Sequence, residues 1–512
     1  MSERPRVRRD SMASWLREIY SCIWVFSQML FTAAAGSESH VRPNIVLILA
    51  DDLGWNDVGY HNPNMKTPNI DRLAAQGVKL NQSYTQSICT PTRSALMTGR
   101  YPFKTGMQHG VLLATDNACL PTQHRLLSED LRQQGYSTHL VGKWHLGFCK
   151  WACTPTYRGF DSFFGYYSGA LDYYSKTYES EFSGHPFLDL RDDIHPAWTS
   201  SRDISYSTHM FTDRAIDVIN QHNTSTPLFL YLSLQNPHFP LQVPEKYTDM
   251  YPDVANEGRR TYCGMVSALD EGVGNVTAAL KERGMMDNTL ILFLSDNGPD
   301  MRFHGNSFPL RGAKFSVWEG GHRSVSFLHG VGLQKTGITY DGLVHVVDWR
   351  PTLMAAATGG GGMPEADIDG INLWENIRTG SPSPRTEFVY NLDDVQSDFL
   401  NAGTAAIRCG DYKLILGYAG SYNDWYKPQN TTEDEPLRVE SYITGDHPEQ
   451  LYNLRDDPIE LRNIALKKPV VVAKMKLKIN QYRKTMVPAQ RRQCSILAEP
   501  SLHSGVWSPG WC

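Results

Sequence analysis

The sequence predicts an α/β protein: a large mixed, mainly parallel sheet flanked by helices, with a smaller C-terminal α+β domain carrying an antiparallel sheet. Three features predict it. Continuous apolar runs recur through the first part of the chain, and helical apolar periodicity fills the spaces between them. Beyond Gly359-Gly360-Gly361-Gly362 the texture changes to short segments joined by turn residues.

The first run, Asn44–Ala50 (NIVLILA), does not alternate with polar residues, which marks a strand buried on both faces. It ends at Asp51-Asp52. A helix pattern comes next, at Asn69–Ala75. Ser137–Val141, Leu228–Leu234 and Thr289–Leu294 are further strands, and Leu126–Gln134, Thr212–Asn220 and Tyr262–Arg283 are the helices among them. Buried strands alternating with helices predict a parallel sheet. In the C-terminal region, Ala405–Cys409 and Tyr412–Leu416 flank Gly410-Asp411 as a hairpin. Glu449–Asn453 is a strand and Val470–Lys484 a helix. The expected divisions are a signal peptide at 1–36, a catalytic domain at 42–358 and the smaller domain at 359–512.

A formal net charge of −5 over 512 residues, with both signs interspersed and no basic stripe, excludes a nucleic-acid-binding role. Five arginines (Arg4, Arg6, Arg8, Arg9, Arg17) precede an apolar stretch at Ile19–Phe31 and small residues at Ala33–Ala35. That order is the signature of a cleaved secretory signal. No later segment reads as a stable membrane span. Sequons at Asn81, Asn223, Asn275 and Asn430 fit a secreted or lysosomal glycoprotein. Of nine cysteines, Cys22 leaves with the signal. Cys119–Cys153 and Cys494–Cys512 are the expected disulfides, and Cys149, Cys263 and Cys409 are expected to be buried thiols.

The residues just past the strands carry the chemistry. Asp51-Asp52, Gly142-Lys143-Trp144-His145, Gln235-Asn236-Pro237-His238 and Ser295-Asp296-Asn297-Gly298 all occupy such positions, where open α/β sheets bind ligands. Asp51, Asp52, Asp296 and Asn297 offer hard oxygen donors suited to calcium. Adjacent aspartates point apart along a strand, so both reach one ion only if the chain turns, which Gly54 allows. Cys89-Thr90-Pro91-Thr92-Arg93 opens a helix pattern, with Pro91 in its first turn and Gly99 at its end. Cys89 at a helix N-terminus is either a low-pKa thiolate or a buried structural cysteine.

Cys89-x-Pro91-x-Arg93 with the tail Leu96-Met97-Thr98-Gly99-Arg100 resembles the signature of the sulfatase family. Asp51–Trp55, Gly142–Gly147, Ser295–Gly298 and Leu310–Lys314 are similar to further family segments. Val58–His61, Thr105–His109, Val273–Thr277 and Trp318–Gly321 are similar to the N-acetylgalactosamine-4-sulfatase (arylsulfatase B) branch and its paralogues. The resemblance implies an alkaline-phosphatase-like fold and hydrolysis of sulfate esters, either aryl sulfates or sulfated carbohydrates. It implies that a formylglycine-generating enzyme oxidises Cys89 to formylglycine, whose hydrate attacks sulfur, and that one Ca²⁺ is held by Asp51, Asp52, Asp296, Asn297 and the residue at 89. Arg93 would orient the hydrate. Lys143 and Lys314 would stabilise the sulfate oxygens, Asp296 and His145 would take protons, and His238 would protonate the leaving oxygen. The segment Pro299–His304 and the histidine in Gly321-His322-Arg323 depart from the pattern, near the expected pocket rim. Two other readings share parts of this pattern: a phosphoesterase of the same superfamily, and a secreted protein that binds sulfated glycan without turnover.

Overall fold

The Asn44–Ala50 run forms the axis of the sheet. The computed structural model describes residues 42–198, 205–360, 367–395, 404–428, 437–438, 448–490 and 493–512. The expected signal peptide and the Asn430 sequon lie outside the described residues. Ile45, Leu47 and Leu49 pack on one face with Ala95, Leu96, Leu131 and Leu353. Val46, Ile48 and Ala50 pack on the other with Phe211, Val266 and Leu269. Side chains alternate between faces, so a strand covered by helices on both sides must be apolar at every position.

Among the described residues the sheet has ten strands. Five neighbouring strands are parallel, in the spatial order Thr289–Ser295, Asn44–Ala50, Leu228–Ser233, Ser137–Lys143 and Ser162–Tyr166. Ser326–Gly330 adds antiparallel to Thr289–Ser295, which makes the sheet mixed. The helices Ser207–Gln221 and Glu257–Glu282 pack together on one face. Cys89–Thr98, Leu127–Gln133 and Trp349–Thr358 lie on the other. A second, antiparallel sheet joins Glu387–Leu392, Ala405–Cys409, Tyr412–Leu416 and Glu449–Asn453, and Phe388, Ile407 and Leu414 extend the apolar cluster of that second face. The expected hairpin turns at Gly410, with φ +56°. The helix beyond it spans Pro469–Arg483. No helix among the described residues is long and apolar enough to cross a membrane.

Cys119–Cys153 forms as expected. Cys512 does not pair with Cys494: it bonds to Cys149, and Cys494 is an exposed thiol. The cause is the final turn of the chain, where Gly510 and Trp511 N–H groups donate to the Cys149 carbonyl at 2.8 and 3.2 Å and deliver Cys512 to Cys149. Cys494 is held elsewhere, in a bridge with Asp116. Cys263 is a buried thiol as expected, whereas Cys409 is only half-buried. The Cys149–Cys512 bond spans 363 residues, so it removes much freedom from the unfolded chain. Cys512→Ser is expected to cost about 2–5 kcal/mol. Thermal unfolding in non-reducing buffer checks this, and an unchanged midpoint would show that the linkage is dispensable.

Candidate active site

The parallel strands run in one direction, so their carboxyl ends bring Asp51-Asp52, Lys143, Ser233 and Asp296-Asn297 to one edge. Asp52 adopts φ +64°. This left-handed residue is what turns the chain, and aspartate is among the few side chains that tolerate the conformation. The turn is therefore not made by Gly54 as expected. Gly54 instead admits a close neighbour: a Cβ there would lie 2.1 Å from the Asn306 carbonyl oxygen.

Cys89 is the first residue of the helix Cys89–Thr98, which has no side-chain cap, and Gly99 ends it in the left-handed conformation. The Cys89 thiol is buried and donates to Asp51 Oδ1 at 3.5 Å. Burial pushes the thiol well above its usual range, against the pull of Lys143 and Lys314. Of the two readings, this favours the buried cysteine over the low-pKa thiolate: desolvation and the neighbouring carboxylates outweigh the nearby cations, so the thiol itself is a poor nucleophile.

The cations reach the carboxylates in an ordered way. Lys143 Nζ donates to Asp51 Oδ2 at 2.5 Å, and Lys314 Nζ donates to Asp52 Oδ2 at 2.7 Å. Arg93 Nε and Nη2 both donate to Asp296 Oδ2, at 3.1 and 2.8 Å, while Nη1 donates to Ser233 Oγ at 2.6 Å. Asp296 Oδ1 accepts from the Asp52 backbone N–H at 3.3 Å. Asn297 Nδ2 donates to Asp52 Oδ1 at 2.6 Å. His238 Nδ1 donates to the Phe239 carbonyl at 2.9 Å, which turns Nε2 toward Asp52 Oδ2, 3.8 Å away. His145, itself at φ +55°, donates from Nε2 to the Leu112 carbonyl at 3.0 Å. Its neutral ring then carries a bare Nδ1, a buried atom with no hydrogen-bond partner among the described residues. Gly169 makes room for that ring, since a Cβ there would lie 2.7 Å from Cε1.

The donor set fits a hard divalent cation. Asp51, Asp52 and Asp296 are fully or almost fully buried, and Asn297 Oδ1 is a buried oxygen without a partner among the described residues. Burial pushes Asp52 up to about 7, against Lys314 and with help from Asp51 and Asp296. Burial also raises Asp51, but Lys143, His238, Arg93 and Lys314 together bring it below the usual carboxylate range. Asp296 is raised, by burial and then by Asp51. Donor atoms of Asp51, Asp52, Cys89 and His238 lie within 4.8 Å of one another. Burial lowers His238 to about 3 despite Asp51, and lowers His145 well below its usual range, so both rings are neutral.

A cleft of about 180 Å³ opens above Cys89. His145, His238 and Lys314 line it, whereas Arg93 and Lys143 lie behind it, engaged with protein groups. Residues that the strand-end reading did not single out complete the site. Ser233 fixes Arg93, and it is the last residue of its strand. Leu112, Phe239 and Phe315 line the cleft from loops, and Arg302 from the short 3₁₀ turn Met301–Phe303, none with a periodic signal. Of the two departures from the family pattern, Arg302 reaches the rim. His322 does not: its ring is buried, donates to the Thr85 carbonyl at 2.7 Å and meets Tyr390 edge-on.

Residues 43–360 match the sequence model of the sulfatase family. Arylsulfatase J of Mus musculus is 40% identical over 492 residues, covering 93% of this chain and 81% of that one. Arylsulfatase A of Homo sapiens is 32% identical, covering 85% and 86% of the two chains. The crystal structure of Ps i-CgsB in complex with k-i-k-neocarrahexaose matches with a TM-score of 0.74 at 29% identity, over 88% of this chain and 94% of that one.

Proposed function

Given that the chain belongs to the sulfatase family, as a sulfuric ester hydrolase of the arylsulfatase type, we propose that a formylglycine made from Cys89 and one calcium ion carry out its hydrolysis. The substrates are aryl sulfates and sulfated glycosaminoglycan sugars such as N-acetylgalactosamine 4-sulfate. The observation that carries this reading is the position of Cys89. It sits at a helix N-terminus at the base of the cleft, between the buried carboxylates and His145, His238 and Lys314. The k-i-k-neocarrahexaose bound by Ps i-CgsB supports a glycan substrate class.

Asp51, Asp52, Asp296 and Asn297 would hold the calcium, which supplies positive charge against the sulfate oxygens. Formylglycine supplies a hydrated aldehyde as nucleophile, made by a formylglycine-generating enzyme during secretion. The remaining chemistry belongs to this chain's own side chains. Lys314 in the cleft and Lys143 behind it offset the negative charge of the reacting sulfate. Arg93 acts as a positioning residue, because its fork to Asp296 orients the carboxylate that takes the proton of the attacking hydroxyl. His238 gives a proton to the departing oxygen as the sulfur–oxygen ester bond breaks. Its neutral resting state means that the incoming anion must raise its proton affinity. The bare His145 Nδ1 accepts the last proton, as sulfate leaves.

The route is secretory, to the lysosome or the exterior. The two disulfides and the exposed sequon residues Asn223 and Asn275 support it. The test is release of inorganic sulfate from 4-methylumbelliferyl sulfate and from N-acetylgalactosamine 4-sulfate by protein from a secretory host. Chelation is expected to remove at least nine tenths of the activity, and calcium to restore it, on the order of the effects seen when metal ligation is lost. Activity indifferent to chelators would remove the calcium.

A further inference from the structure

We propose that Arg302 forms a second anion subsite at the rim of the cleft, selecting substrates with another carboxylate or sulfate besides the sulfate ester being cleaved. The inference rests on the function proposed above and concerns what surrounds the reacting group. Arg302 belongs to the segment that departs from the family pattern, and it lines the cleft that contains Cys89, His145, His238 and Lys314. Its position is fixed from two sides. Nε and Nη2 donate to Asp300 Oδ1 and Oδ2 at 3.0 and 2.6 Å, and Asp300 is itself buried. The guanidinium carbon also lies 5.1 Å from the Phe315 ring centroid and 5.6 Å from that of Phe303. A guanidinium held by a carboxylate and seated on aromatic rings keeps its plane at little entropic cost when an anion arrives.

The side chain is nevertheless 45% exposed, so it is accessible from the cleft. Lys314 stands deep in the cleft at 4% exposure, paired with Asp52, where the reacting sulfate belongs. Arg302 lies farther out, where the remainder of the substrate must pass. No acidic side chain is among the described residues that line the cleft. Phe239 stacks on Phe303 with centroids 4.5 Å apart, and this gives the same wall an apolar surface for a ring. Together these features fit a sulfated sugar with a second negative group, either a neighbouring uronate or a second sulfate on the same ring.

The experiment compares wild type with Arg302→Gln and Arg302→Lys on three compounds: N-acetylgalactosamine 4-sulfate, its 4,6-disulfate, and a 4-sulfated disaccharide carrying a uronate. In wild type, kcat/KM is expected to favour a doubly charged compound. In Arg302→Gln that preference should fall about tenfold, as for a lost hydrogen bond to a charged group, mainly through KM, with partial rescue in Arg302→Lys. Loss confined to the uronate compound identifies the carboxylate, and loss confined to the disulfate identifies the sulfate. Calorimetric binding of the same compounds to a Cys89→Ala background, with and without Arg302→Gln, makes the comparison without turnover. A failure of catalysis is thus distinguishable from a failure of the subsite. Equal losses on all compounds, or an unchanged preference in both measurements, would overturn the subsite.

Discussion

Cys89→Ala is expected to lower kcat for sulfate esters by about 10⁴-fold or more, the scale seen when a covalent nucleophile is deleted. Its folding stability stays close to wild type, because the buried thiol makes one weak polar contact, to Asp51. Cys89→Ser discriminates further. A single hydroxyl can attack sulfur, but it has no second proton to lose and so cannot expel the sulfate. The serine variant is expected to retain one equivalent of sulfate per chain, visible as an added mass, without turnover. Multiple turnovers by Cys89→Ala, monitored as released sulfate, would place the nucleophile elsewhere.

Asp51→Ala combines a catalytic loss with a structural one. Asp51 is fully buried, faces Lys143 Nζ at 2.5 Å and lies 3.9 Å from Arg93 Nη2. Removing it strands the buried Lys143 ammonium, while Arg93 keeps Asp296; deleting one member of a buried pair costs about 3–5 kcal/mol. It also removes an oxygen donor from the proposed calcium site, so turnover should fall by at least about 10²-fold. Denaturant unfolding and steady-state assays at saturating calcium measure the two losses separately. A variant of wild-type stability would mean that Lys143 finds another partner. A variant of wild-type activity would remove Asp51 from the metal set.

The framework of this site was legible because it depends on local pattern. Asn44–Ala50 is apolar at nearly every position, so it had to be a strand covered on both faces, and its carboxyl end had to place Asp51 and Asp52 at the ligand edge. The same geometry placed Lys143 and Asp296 at the ends of Ser137–Lys143 and Thr289–Ser295. Pro91 and Gly99 bracket the Cys89 helix by their backbone preferences. The illegible parts depend on contacts distant in sequence or on conformations that many residues tolerate. Nothing near Asp52 announces a left-handed residue, since aspartate occupies most turns in other conformations. The partner of Cys512 was decided by the chain end hydrogen-bonding to Cys149, not by the nearness of Cys494 in sequence. Of the two readings open for Cys89, burial disfavours the thiolate, because a helix N-terminus favours a thiolate only where solvent or net positive charge supports it. Here burial dominates and Asp51 and Asp296 face it. Arg302 and His322 look alike in sequence as departures near a rim, yet only the folded loops separate a cleft residue from a buried one.

The central claim is that the reactive group at position 89 is not the encoded thiol. Mass spectrometry of the tryptic peptide containing Cys89, from protein made in a secretory host, tests it most directly. The account predicts a mass loss equal to conversion of the thiol to an aldehyde, and a peptide that no longer reacts with alkylating reagents. An intact, alkylatable Cys89 in protein that turns over sulfate esters would contradict it.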